Sequence, residues 1–147
     1  KAVKAGSKIF PWIDFIQGSI AKKNDMPNKA FDIALVSGVL CVIDRSLLSQ
    51  AIANIDSLIK PNGHIIIYDF YTPFPRANDY HHQDGIFTYK QDYSLPFKSL
   101  NIYTEIYRNS SPDEHSNFDN VDPYDVWMLL SVLQKDLMGR YKRNPIK

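Results

Sequence analysis

Cysteine is almost absent: Cys41 is the single one in the chain. That excludes an internal disulfide and fits a reducing compartment, so a cytoplasmic location is expected. No apolar run approaches the roughly 20 residues that span a bilayer, and no membrane partner is expected. No signal peptide is visible at the start, although the chain begins at Lys1 and is expected to continue upstream. Positive charge is not in excess: the net charge is +1, and the one basic cluster is the short GRYKRNP near the end. Nucleic acid is therefore not an expected partner. Glycine is scarce, with 6 residues, and no G-x-G triplet occurs.

What is present is the composition of one ordinary globular domain, 44% hydrophobic and 22% charged. Nine Tyr and eight Phe give a high aromatic content, much of it between residues 68 and 107. Such side chains either cover one side of a sheet or line a pocket with an apolar face and a polar tip.

The order of elements follows from periodicity. Residues 1–10 read as the tail of a helix with an Ala2, Val3, Ala5, Ile9 stripe. WIDFIQG (12–18) reads as a short strand ended by Gly18. FDIALVSG (31–38) carries the continuous apolar run of a parallel strand covered on both faces. Residues 44–60 form the clearest helix, with Asp44 as N-cap and Leu48, Ala51, Ile52, Ile55, Leu58 and Ile59 on one face. Pro61 stops it, and Asn62-Gly63 supplies a positive-φ turn. HIIIYDF (64–70) reads as a fully buried strand, completing a right-handed βαβ unit. Beyond it lies a polar, proline-bearing loop, 70–85, of the length that usually carries function. Residues 86–94 and 100–108 alternate as strands expected to pair antiparallel at the sheet edge. Asp122 and Pro123 open an expected C-terminal helix over 122–138, apolar on nearly every side and either core or an oligomer contact. The fold class expected is α/β: a Rossmann-like, mostly parallel sheet with helices on both faces, an antiparallel C-terminal edge and its N-terminal strands missing.

FDIALVSGVLCVID, a helix, then LIKPNGHIIIYDF resembles the class I S-adenosylmethionine-dependent methyltransferases over about residues 10–70. Phe31-Asp32, the Val39–Asp44 turn and Leu58 to Gly63 carry the resemblance, and IDFIQGSI is similar to the family's third strand. Asn62 stands where the family usually has Gly, and Ser19 where it often has an Asp for the adenine amino group. The family's glycine-rich loop and the acidic residue ending its second strand are absent, so roughly the first third of the domain is expected upstream. The resemblance implies S-adenosylmethionine as cofactor and methyl transfer to a small-molecule acceptor. The alternatives are a catalytically inactive methyltransferase-like interaction domain, or another doubly wound nucleotide-binding enzyme.

By the same resemblance the cofactor lies at the C-terminal strand ends. Gly18, Ser19 and Ile20 would meet the adenine, Ser37 the methionine end, and Gly38 and Val39 with Leu40 the sugar and base. Asp69, at the next strand end, either positions the acceptor or caps a turn. His81, His82 and Asp84 are metal-binding types, but adjacent histidines rarely point the same way and no H-x-x-x-H spacing exists, so no metal is expected. His81 or His82 is instead the candidate general base for a hydroxyl or amine acceptor. Tyr89, Lys90, Asp92 and Tyr93 are weaker candidates for the same pocket, and Cys41 reads as core. A homo-oligomer is a possible assembly.

Overall fold

A computed structural model describes residues 2–22, 26, 28–80, 83–112 and 127–137. Its elements are α1 (Ala2–Ile9), β1 (Phe31–Ser37), α2 (Leu48–Leu58), β2 (Ile59–Phe70), β3 (Arg76–Asp79), β4 (Phe87–Lys90), α3 (Leu95–Ser99), β5 (Tyr103–Pro112) and β6 (Trp127–Lys135). Four strands form one sheet in the order β1-β2-β6-β5, and β3-β4 form a separate antiparallel ribbon. The β1–β2 pair is parallel, while β2–β6 and β6–β5 are antiparallel. The crossover from β1 through α2 to β2 is the expected βαβ unit and makes this an α/β fold with an antiparallel C-terminal edge. No helix among the described residues is long and apolar enough to cross a membrane.

Asp44 caps as its sequence position implies: its carboxylate accepts from the Ser46 amide at 2.8 Å. The turn it caps is a short 3-10 segment, Arg45–Leu47, and α2 proper starts at Leu48. Ala51, Ile52, Ile55 and Leu58 form the buried face of α2. Ile52 and Ile55 of that face meet Val36, Ile59, Ile65, Ile67, Phe97, Tyr103 and Leu133 in one core. Asn62 has the positive φ expected, 65°, but not in a turn ahead of the strand: the helix, expected to reach residue 60 and stop at Pro61, ends at Leu58, and Ile59 to Gly63 already belong to β2. Gly63 is needed for another reason: a Cβ there would lie 2.9 Å from the Asp32 carbonyl and 2.8 Å from Ile59 Cγ2. The strand ladder slips at this point, from Phe31↔Ile59 to Ile33↔His64.

Five expectations are corrected. Residues 12–18 form no strand: a strand needs a ladder partner, and none of the described residues pairs with this segment. β1 forms, but it is an edge strand with Val36 alone buried; Ile33 and Leu35 are 60% and 68% exposed. β2 is not buried on both faces; Ile65, Ile67 and Asp69 point inward, while Tyr68 is 40% exposed. The strand within 86–94 does not pair with the one after residue 100; β4 pairs with β3, and β5 with β6. Residues 127–135, expected within the 122–138 helix, form β6, inserted between β2 and β5. An apolar run covered on both faces lacks the period that tells a central strand from a buried helix. The remainder of that expected helix lies outside the described residues.

Candidate active site

The carboxyl ends of β1 and β2 lie side by side, with Ser37 paired to Tyr68. Gly38 extends the ladder by one bond, its amide donating to the Tyr68 carbonyl at 2.9 Å. Gly38 then turns the chain with φ +59°, a conformation that costs a side-chain-bearing residue and not a glycine. Among the described residues, no heavy atom other than those of its chain neighbours lies within 4 Å of where its Cβ would be. The chain continues into a 3-10 turn, Leu40–Val42, whose Leu40 and Cys41 are buried.

Asp69 holds that turn. Its Oδ2 accepts from the Leu40 amide at 2.9 Å and its Oδ1 from the Phe70 amide at 2.8 Å. The side chain is 1% exposed, and burial pushes its carboxyl above the ordinary value against hydrogen bonds from the Cys41 thiol and the backbone amides that pull it down. Of the two roles expected for Asp69, this geometry is that of the cap. Burial likewise drives the Cys41 thiol up, with Asp69 adding to the effect, so the thiol stays protonated and is a core group.

The other expected cofactor residues fall on the same side of α2. Ser19 makes a local turn, its Oγ accepting from the Ala21 amide at 3.3 Å and its carbonyl from the Lys22 amide at 3.0 Å. Asn54 on α2 donates to the Ile20 carbonyl at 2.8 Å, fixing the segment to the helix. Ile20 and Val39 line one apolar cleft of about 310 Å³ with Ala34, Val36, Ile55 and Leu58. The structure thus brings Ile20 and Val39 to one cleft, which runs along β1 from Phe31 at its start, past Ile33 and Leu35, to Val39 beyond its end. Gly18, like Gly38, has no neighbour within 4 Å of a would-be Cβ. His81 and His82 lie outside the described residues.

The segment after β2, expected as a loop over residues 70–85, contains β3, which pairs with β4 as an antiparallel ribbon. Thr72 Oγ1 donates to the Phe74 carbonyl and to the Lys90 carbonyl at 3.0 Å, tying the loop to β4. A second cleft of about 300 Å³ is lined by Thr72, Pro73, Pro75, Gln91, Asp92 and Leu95. Asp92 is engaged on both oxygens, by Ser94 and by Arg108 at 3.0 Å. Lys90 is 6% exposed with its ammonium 5.1 Å from the Phe70 ring centre. Tyr93 is buried, which pushes its hydroxyl up and keeps it protonated. It donates to the Tyr89 carbonyl at 2.8 Å and accepts from Arg45 Nη1 at 3.0 Å. Arg45 is the residue that sequence reasoning missed. The one signal was its place in a first helical turn, where a cation opposes the helix dipole and so usually has a partner elsewhere.

Comparison with known proteins places this arrangement. The methyltransferase-domain family model matches residues 1–67. No curated protein matches the chain significantly. Among solved structures, the chain is similar to the Burkholderia thailandensis 1,6-didemethyltoxoflavin-N1-methyltransferase with bound 1,6-didemethyltoxoflavin and S-adenosylhomocysteine, at TM-score 0.63 and 16% identity over 90% of this chain and 55% of that one. It is also similar to the N-methyltransferase NodS of Bradyrhizobium japonicum in complex with S-adenosylhomocysteine, at TM-score 0.59 and 16% identity over 91% of this chain and 61% of that one. A third similar structure is the [4+2]-cyclase SpnF, at TM-score 0.62 and 13% identity over 91% of this chain and 62% of that one. The chain therefore spans little more than half the length of these proteins. Over its described residues the chain has the class I methyltransferase fold, and its first 67 residues match the methyltransferase-domain family.

Proposed function

We propose that this chain is the strand-end and acceptor-side portion of an S-adenosylmethionine-dependent methyltransferase acting on a small molecule. The observation that carries the reading is the pair of bonds from Asp69, which fixes the turn after β1, where Val39 lines one cleft with Ile20 and follows Ser37 and Gly38 at the strand end. The open glycines and apolar walls fit an adenosyl group: flat, largely apolar, and needing close approach to backbone. When bound, that cofactor supplies a sulfonium methyl group for in-line displacement, a reaction that asks the protein chiefly for alignment.

The residues have distinct tasks in this reading. Ile20 and Val39 sandwich the base, the Ser19 hydroxyl accepts from its amino group, and Ser37 faces the methionine end. Asp69 is a positioning residue, because both of its oxygens already hold backbone amides. The cleft beside Thr72, Pro75 and Gln91 receives the acceptor, and His81 or His82 takes its proton where the acceptor is a hydroxyl or amine. The small-molecule class is supported by the similar methyltransferase whose structure holds 1,6-didemethyltoxoflavin.

Calorimetric titration of the full-length protein with S-adenosylmethionine tests the reading. A folded protein that shows no binding sinks it. Binding without transfer to any small-molecule acceptor would favour the inactive interaction domain or a reaction of another kind, since the similar SpnF is a cyclase.

A further inference from the structure

The ribbon and the main sheet share no ladder among the described residues, and side chains bridge the gap: Lys90 lies against Phe70, and Arg45 reaches the ribbon from the turn after β1. Arg45 Nη2 donates to the carbonyl of Leu40 at 2.6 Å and to that of Ile43, and Nε to Ile43 at 3.1 Å. These carbonyls belong to the turn that follows β1, so the guanidinium braces the turn that Asp69 also holds. The rest of the same group faces the ribbon. Its carbon lies 4.0 Å over the centre of the Tyr89 ring, on β4, and Nη1 reaches the Tyr93 hydroxyl at 3.0 Å. Tyr93 returns a hydrogen bond to the Tyr89 carbonyl, which makes the link a closed circuit.

We propose that Arg45 is a positioning residue that couples the β3-β4 ribbon to the Leu40–Val42 turn, so that ordering of the acceptor side and of the cofactor side occurs together. The chemistry requires arginine. Two edges of one plane serve two sets of acceptors while its face stacks on an aromatic ring. A lysine ammonium carries the same charge but cannot do both. Coupling then needs no contact between the two ligands: whatever orders the turn lowers the cost of ordering the ribbon. The mechanical link stands on this geometry alone; its response to cofactor rests on the function proposed above.

Amide hydrogen exchange on the full-length protein, with and without S-adenosylhomocysteine as the probe, tests it. In the wild-type protein the probe should slow exchange in residues 76–79 and 87–90 as well as at the turn. In Arg45→Lys, and in Tyr89→Leu, which leaves the bonds from Arg45 to the turn in place, protection of the ribbon should fall about tenfold while the turn still responds. Without probe, Arg45→Lys should speed exchange in both segments and leave β2 and β6 unchanged. Ribbon protection that persists in both folded variants overturns the coupling. So does apo exchange that rises at the turn alone. If the probe does not bind wild-type protein but apo exchange rises in both segments, the coupling stands and the methyltransferase reading fails.

Discussion

The amide of Leu40 donates to the carboxylate of Asp69 across 2.9 Å, joining positions 29 residues apart in the chain. The bond ties the end of β2 to the turn after β1. Replacing Asp69 with Ala leaves a buried amide with no acceptor and should cost about 2 to 3 kcal/mol, read as a lower urea midpoint with an unchanged slope. Asp69→Asn keeps one oxygen for Leu40 but turns a donor toward the Phe70 amide. It should be destabilised by less.

Two carboxyls respond to pH in opposite directions. Burial raises Asp69 from its ordinary 3.8, so the folded chain holds this proton more tightly than the unfolded chain. Its contribution to stability is therefore full below pH 3.8 and is lost as pH rises through the raised native value. Glu105 differs: burial would raise it, but bonds from Lys98, Ser131 and Arg108 outweigh burial and hold it below 4.5. Its contribution is present above pH 4.5 and is lost as pH falls through the native value. Urea midpoints taken between about pH 3 and pH 7 should show Glu105→Gln losing less stability in acid than wild type, and Asp69→Asn losing less as pH rises.

Lys135 on β6 is 4% exposed and pairs with Asp56 of α2 at 2.8 Å. The two members are not equivalent. Asp56 also accepts from the Tyr103 hydroxyl at 2.7 Å, so it keeps a partner when Lys135 is lost. Lys135 without the Asp56 carboxylate is a buried ammonium left with neutral partners, the backbone carbonyls of residues 56 and 59 and the face of the Tyr103 ring. Asp56→Ala should therefore cost more than Lys135→Met, by about 1 kcal/mol or more, in thermal unfolding.

Gly63 and Asn62 are adjacent but fail differently. A Cβ at Gly63 would strike backbone, the carbonyls of Asp32 and Lys60 at 2.9 and 3.0 Å, and backbone gives way poorly. Gly63→Ala should cost about 1 to 3 kcal/mol. At Asn62 the issue is φ, so Asn62→Ala should cost about 1 kcal/mol and Asn62→Gly almost nothing.

Gly38 separates fold from binding. Its φ of +59° makes Gly38→Val strained by about 1 to 2 kcal/mol, although nothing crowds the added atoms. If the cofactor passes this strand end, S-adenosylhomocysteine affinity of the full-length protein should fall at least tenfold, far beyond the stability change, as measured by calorimetry.

The legible parts of the sequence were those with an unambiguous period or punctuation. Asp44, the Ala51, Ile52, Ile55, Leu58 face of α2 and the positive φ of Asn62 each follow from local sequence, whereas Ile59, expected on that helix face, opens β2. β6 was illegible because Met128 to Leu133 is apolar on both faces, which a central strand and a buried helix share. β1 announced itself through Ile33 and Leu35, but whether those side chains are covered depends on neighbours that periodicity does not name. Arg45 and Tyr89 are 44 positions apart, and no spacing rule connects a cation to a ring that a later ribbon delivers. Asp69, expected either to position an acceptor or to cap a turn, stands at a strand end; that it holds the Leu40 and Phe70 amides is visible only in its hydrogen bonds.

The ribbon's attachment by side chains has a consequence for how such a chain can change. Because β3 and β4 bond to each other and to no strand of the main sheet among the described residues, residues can be added or removed near their tip without moving β2 against β6. The ribbon thus keeps only its own register, Arg76↔Lys90 to Asp79↔Phe87, and is free of the register of the main sheet. Variation can arise there by insertion, while the sheet beneath keeps its original specification.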